Sequence, residues 1–317
     1  MVATIVMNSS NVVPNGQNNQ LVYSFPNSIA FPNHEIAIQS ISMYYSWVNI
    51  NSTSLNNNQY QIYWTATEDT FTVVMPDGLY EIATINQYLQ FFCIQNGLFL
   101  ITATGSYVYF IEWTINTSLY AVQLNLYPIP TEAEATALGY IAPSIANGFP
   151  ADWAGYTAST VGLVPAIFLS AATLPANNFY KIIGFPQDFN MLNAPYGPPT
   201  GGTVNASYVS TTAPQVQPNP TLYIAISNIE NNMATPSSII GTISPTVNYG
   251  ELINITPPQF AWNKLLSGTY NSLRISLLGT NKQPVQLLDP TMTLTLVIRD
   301  KKDISLGDAL NQASMGK

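Results

Sequence analysis

The chain has 317 residues, only 8 % of them charged, and a formal charge of −8 at neutral pH. That length admits two domains, or one large all-β unit with an insertion, and is enough to bury a sizeable core. Residues 1–180 hold nine acids and no base and residues 181–317 hold eight bases and seven acids, which excludes an extended basic groove for nucleic acid.

With so few charges, the polar surface must come from Asn, Gln, Ser and Thr. A free soluble monomer normally keeps itself apart with mixed charges. A charge-poor surface suits a subunit covered by its neighbours. The competing reading is a secreted or carbohydrate-binding β-protein, which can also be neutral and rich in Thr and Asn. Sheet edges are usually blunted by Lys or Pro. A β-rich chain without Lys before Lys181 leaves its early edges open unless something covers them. Cys93 is the only cysteine, so no internal disulfide is possible, and its apolar setting reads as a small buried hydrophobe. No signal pattern is seen, and no apolar run approaches the ~20 residues of a membrane helix. The chain reads as made in the cytosol, and its Asn-X-Ser/Thr triplets read as chance products of composition.

In chain order, residues 3–7 are a short apolar run that pairs with a sheet or a neighbour, or stays a mobile arm. Leu21, Tyr23 and Phe25 alternate as a first core strand closed by Pro26 and Asn27. Residues 35–48 form a long strand whose apolar side switches face midway, which predicts a bulge. Residues 59–66 and 70–75 read as a hairpin around Glu68-Asp69. A helix follows, with Thr84 and Gln87 as a capping box, Ile85, Tyr88, Leu89 and Phe92 on one face, and Gly97 as C-terminal cap. It is expected across the end or flank of a sandwich. Residues 98–103, 107–114 and 119–127 read as strands.

At Pro128 the character changes. Thr131 and Glu134 predict a capping box and a short helix ending at Gly139. Beyond it Pro and Gly are frequent; 163–169 and 179–183 are strand candidates. Residues 188–220 read as a long loop around Gly197-Pro198-Pro199-Thr200-Gly201-Gly202. A loop of that length is expected to be functional or pinned by a partner. Alternation returns at 221–227, 238–243 and 252–255. Leu273, Ile275 and Leu277 then alternate with Ser272, Arg274 and Ser276, and Met292, Leu294, Leu296 and Ile298 with Thr291, Thr293, Thr295 and Arg299. These two runs, joined by turn residues, read as a hairpin whose apolar face needs a second sheet. Residues 304–313 form a brief helix or a tail.

The side chains that chemistry needs are scarce. Acid–base and nucleophilic catalysis generally uses a group poised near neutrality, most often His. The only histidine, His34, sits in a Pro-Asn-His-Glu turn without a Ser or Cys nucleophile pattern, and reads as a surface turn residue. Zinc needs several His or Cys ligands, and this chain has one of each. Glu68-Asp69 and Asp300 with Asp303 read as a solvated turn and a strand end rather than as a calcium site. Gly201-Gly202 lacks the Lys-Ser/Thr and helix of a phosphate loop. Paired glycosidase carboxylates are allowed by spacing but disfavoured by the scarcity of acids. No catalytic residue, cofactor or metal is expected, and the chain reads as no enzyme. Tyr44, Tyr45 and Trp47, with Tyr60, Tyr63 and Trp64, read as cross-strand core pairs; the alternative is interface anchors, for which Trp47 is the candidate.

Four stretches carry a family resemblance: HEIAIQSISMYYSWVNI (34–50), VMPDGLYEIATINQYL (74–89), NFYKIIGF (178–185) and LLDPTMTLTLVIR (287–299). In the order of its segments the chain resembles the penton (minor capsid) proteins of virophages and Polinton/Maverick-type viruses. The resemblance implies an all-β fold: a single jelly-roll sandwich, here residues 1–127 and 218–317, with a loop-rich β insertion at 128–217 facing outward and one or two short helices. It implies a homopentamer at each fivefold vertex of an icosahedral capsid, flanked by trimers of a double-jelly-roll major capsid protein. The location implied is the virion, after synthesis in the host cytoplasm. Arg299, Lys301, Lys302 and Lys317 are expected to mark the base, facing the particle interior or acidic neighbours. A fibre head or a lectin-like receptor- or carbohydrate-binding protein is the alternative.

Overall fold

Leu273, Ile275 and Leu277 are buried, and so are Met292, Leu294, Leu296 and Ile298, while Ser272, Arg274 and Thr293 are exposed. The expected alternation is present on both strands. The expected hairpin is not, because the two strands belong to different sheets and do not pair. Their apolar faces are therefore available to two sheets rather than to one.

The computed structural model describes residues 2–155, 163–169, 177–189, 205–217 and 219–301. In chain order the strands are β1 (Val2–Asn8), β2 (Gln20–Phe31), β3 (His34–Tyr44), β4 (Gln59–Trp64), β5 (Asp69–Val74), β6 (Phe99–Ile101), β7 (Tyr107–Tyr109), β8 (Ile111–Asn116) and β9 (Ala121–Leu126). They continue with β10 (Ala166–Phe168), β11 (Ala206–Val209), β12 (Leu222–Ile226), β13 (Ile229–Glu230), β14 (Ile239–Ile243), β15 (Leu252–Ile255), β16 (Asn263–Leu265), β17 (Gly268–Leu278) and β18 (Met292–Asp300). The helices are α1 (Ile82–Gln95), α2 (Glu132–Ala137) and α3 (Phe179–Ile183). The fold is all-β and jelly-roll-like. It divides into two compact units, Met1–Val48 with Pro218–Lys317, and Asn49–Gln217.

The first unit is a sandwich of antiparallel sheets. One sheet has the order β1-β18-β3-β16-β13, with β15 also on β3; the other has the order β14-β12-β17-β2. Ile5, Met7, Ile36, Ile41 and Met43 join the buried side of β18, and Leu21, Leu222, Ile224 and Ile226 join that of β17. Each such side chain contributes about 1.5–3 kcal/mol when taken out of water. The sheets meet closely at Gly241, where a Cβ would lie 2.7 Å from Cδ1 of Ile38. The bulge expected in β3 is present: Thr295 pairs Ser40 but Leu296 pairs Ile38, leaving Gln39 unopposed. That extra residue moves the buried side chains from Ile36 to Ile41 and Met43, which accounts for the change of face in the sequence. β2 runs through Pro26 instead of ending there. It is an edge strand, where a missing N–H is tolerated, and its register against β17 breaks around Pro26 between Ile29 and Ser24.

The second unit contains sheets β10-β4-β5 and β11-β9-β8 and the hairpin β6-β7. Strands before and after residue 128 share these sheets: β10 pairs β4, and β11 pairs β9. The first boundary therefore falls at Val48–Asn49, not at 127–128. Residues 49–127 go with the insertion rather than with the sandwich. α1 begins three residues before its expected capping box, with Glu81 at the cap position and Thr84 at N3 accepting from the Glu81 N–H at 3.2 Å. Its buried residues are Ile82, Ile85, Leu89 and Cys93, and Asn86 accepts from the Trp113 N–H on β8 at 2.8 Å. Its support is thus a sheet of the second unit. α2 has the expected box, Thr131 with Glu134, and closes at Gly139 with φ 68°.

Residues 179–183 form α3 rather than a strand. Phe179, Ile182 and Ile183 are buried, a helical spacing that a five-residue window does not separate from a strand. Gly184, at φ 73°, supplies the left-handed C-terminal cap. The long loop expected at 188–220 contains β11. Its Gly-Pro-rich centre and the helix or tail expected at 304–313 lie outside the described residues.

Candidate interaction surface

The outer face of the larger sheet carries most of the ionic structure of the first unit. Antiparallel register puts Val2, Arg299, Glu35, Lys264 and Glu230 in one row across β1, β18, β3, β16 and β13. The charges in that row alternate in sign. Arg299 donates from Nε and Nη2 to Oε2 of Glu35 at 3.0 and 2.9 Å. Lys264 donates to Glu230 at 3.0 Å. Lys301 Nζ lies 3.6 Å from the other Glu35 oxygen. The Arg299 guanidinium also lies 3.8 Å from the centre of the Trp262 ring, which packs edge-on to Phe260. Cross-strand opposite charges are a normal stabilising element of a sheet.

This geometry sorts the expected contact residues. The structure brings Arg299 and Lys301 together on one carboxylate. Arg299 is largely covered, with 26 % of its side chain exposed, whereas Lys301 keeps 60 %. Lys302 and Lys317 lie outside the described residues. Trp47 is elsewhere and is no surface anchor. It is only 2 % exposed, its ring is 4.4 Å from that of Tyr45, and its Nε1–H donates to the Asn219 carbonyl at 2.9 Å. Tyr44, Tyr45 and Trp47 belong to the first unit, and Tyr60, Tyr63 and Trp64 to the second. Tyr60 stacks on Phe179 at 4.7 Å.

Sequence reasoning missed Glu35, the hub of the row, and Trp262. The signal available was weak: one acid opposite one base becomes a pair only once the register of β3 and β18 is known.

Above this row the same face turns neutral. Asn8, Thr293 and Ser42 form one row, and Val6, Thr295 and Ser40 the next. Val2 and Val6 on the edge strand are 69 % and 54 % exposed. Uncharged residues of this kind cost little to desolvate compared with ions, and interface cores are depleted of charge.

Reactive groups do not converge in the described residues. His34 starts β3 with its ring edge-on to Phe31. Burial pushes the Cys93 thiol up to about 12, which keeps it protonated and inert. No group of three or more His, Cys, Asp or Glu is arranged to hold a metal among the described residues. No helix there is long and apolar enough to cross a membrane. The second unit has an open groove of about 370 Å³, lined by Tyr109, Phe110, Tyr127, Pro128, Leu138 and Tyr140 among others. Tyr127 donates to the Glu112 carboxylate at 3.4 Å on its wall.

No known family model matches the chain, and no curated protein does. Among solved structures, the selenomethionine-labelled mavirus penton protein is similar over 94 % of this chain and 98 % of its own, with 10 % identity and a TM-score of 0.37. The fold class of the present chain follows from its own strands and their pairing.

Proposed function

We propose that the chain is a structural subunit of a viral capsid, a penton-like minor capsid protein that closes fivefold vertices as a homopentamer. The reading rests on the first unit: a two-sheet sandwich whose larger sheet offers a neutral Ser/Thr/Val face and an unguarded edge, in a chain with few charges. Such a surface is suited to being covered. A ring of five uses heterologous contacts that close on themselves, so each copy can cover an edge of the next. The resemblance of residues 34–50, 74–89, 178–185 and 287–299 to virophage and Polinton/Maverick pentons points the same way. These stretches fall on β3, α1, α3 and β18. The partners proposed are further copies and, around the vertex, trimers of a double-jelly-roll major capsid protein. The location proposed is the virion, after synthesis in the host cytoplasm, and the role is structural rather than enzymatic.

Lys301 and Lys302 are proposed to face the particle interior or acidic neighbours, and the loop-rich residues 128–217 to face outward. Arg299 contributes to that base by bracing Glu35 rather than by offering free charge. The test is electron cryomicroscopy of shells assembled from this chain and a double-jelly-roll major capsid protein. Density for five copies at the vertices supports the reading; vertices closed without the chain reject it.

The groove of the second unit favours the alternative, a receptor- or carbohydrate-binding role. Three tyrosines and two prolines around an open cleft are the kind of wall on which sugar rings stack. Binding to a glycan panel, abolished by Tyr127→Ala and Tyr140→Ala, would support it.

A further inference from the structure

Resting on the assembly reading above, we infer that the outer edge of β1 is a docking strand on which a second copy of this chain adds an extended segment. β1 pairs with β18 on one side, and no described strand pairs with it on the other. Ile5 and Met7 hold it in the core of the sandwich, 5 % and 0 % exposed. The edge is therefore a fixed template. Its alternate N–H and C=O groups point away from the sheet, which is the arrangement that β-augmentation uses.

The other edges of this sandwich are blunted. β13 has two residues, and the Glu230–Lys264 ion pair lies on it. β15 has four residues and runs into Pro257 and Pro258. β2 carries Pro26 and a broken register. β14 carries a register shift against β12 and Gly241 at its middle. These are the devices by which proteins prevent unwanted strand addition. β1, Val-Ala-Thr-Ile-Val-Met-Asn, has none: no charge, no proline, no glycine and no bulge over seven residues. Val2 and Val6 stand exposed on its outer face, with Thr4 between them. A sandwich that guards four of its described edges and leaves the fifth open has left it for a partner.

Charge selects a second copy as that partner. The first unit contains seven acids and seven bases, whereas the second contains nine acids and Lys181 alone, hence −8. Two copies meeting through their first units bring no net like charge together. Two copies meeting through their second units do. A contact through β1, on the neutral first unit, is thus one in which copies of this chain do not repel each other.

The test compares the native chain with T4K/V6K by sedimentation over a range of concentrations, with T117K/S118K as a control of equal added charge on the β8–β9 turn. Thr4 and Val6 face outward, so thermal unfolding and circular dichroism should stay native-like. The expected result is association weakened at least about tenfold in T4K/V6K and unchanged in T117K/S118K. Amide exchange of β1 in the native chain, which needs no variant, should slow as copies associate. A T4K/V6K protein that assembles like the native chain, or β1 exchange that ignores association, overturns the docking strand while leaving the assembly reading intact. A native chain that stays monomeric at every concentration overturns both.

Discussion

One carboxylate oxygen of Glu35 receives both the Nε–H and an Nη2–H of Arg299, at 3.0 and 2.9 Å. The two residues are 264 positions apart in the chain and directly opposite in the sheet. Glu35 is the less exposed partner, at 14 %, so its removal leaves a partly covered guanidinium without a counter-ion. Glu35→Gln is expected to cost about 1.5–3 kcal/mol in denaturant unfolding, the range for hydrogen bonds to charged groups. Arg299→Lys should recover only part of that, because an ammonium has neither the fork nor the planar stack on Trp262. An Arg299→Lys variant as stable as the native chain would show that the fork matters less than stated here.

Gly184 tests the reassignment of residues 179–183 from strand to helix. It sits at φ 73°, and a Cβ there would run into the carbonyl oxygen of Thr212. Gly184→Ala meets both the left-handed strain of about 1–2 kcal/mol and a backbone clash. The expected outcome is a loss of more than about 2 kcal/mol, read as a lowered melting temperature. A neutral substitution would mean that the chain turns differently after Ile183.

Gly241 is close to its neighbour for a gentler reason. The atom it would meet is the free end of the Ile38 side chain, beside a cleft of about 130 Å³ that Ile38 itself lines. Gly241→Ala should therefore be nearly neutral, within about 1 kcal/mol, while Gly241→Val should cost about 1–3 kcal/mol by overpacking. Thermal melts of both variants check the order.

Alkaline pH should loosen the second unit. Cys93 is raised to about 12 by burial, and Tyr109 is raised to about 12, chiefly by burial and then by the neighbouring Cys93 and Tyr107. Tyr60 is raised by burial as well. In all three the folded state holds the proton longer than the unfolded chain does. Their contribution is complete below the ordinary values of 9 for the thiol and 10 for the phenols and is lost as pH rises through them toward about 12. Stability against denaturant should fall over that window, and Cys93→Ala should shallow the fall. Alkylation of Cys93 should proceed only with unfolding. Rapid labelling of the folded protein at pH 8 would contradict the burial.

The legible parts of this fold were those in which a local pattern met a local cause. The alternation in β17 and β18 marked their buried faces, the Thr131–Glu134 box located α2, and the change of face in β3 marked a bulge. What a window of residues cannot hold was lost. The pairing of β4 with β10 and of β9 with β11 moved a unit boundary, because long-range pairing leaves no local mark. Pro26 looked like a strand end, since edge position is a property of the sheet. The surface was half legible: Arg299 and Lys301 were identified from charge, but Glu35 and Trp262 become their partners only through register. Trp47 fitted a core and an interface alike in the sequence, because an aromatic that anchors a core and one that anchors a neighbour look the same there; its burial decides for the core.

Native mass spectrometry of the purified chain addresses the central claim most directly, because it counts copies. A particle of five chains, each of 34.6 kDa, is the predicted result. A stable species of one or three chains at every concentration would contradict it.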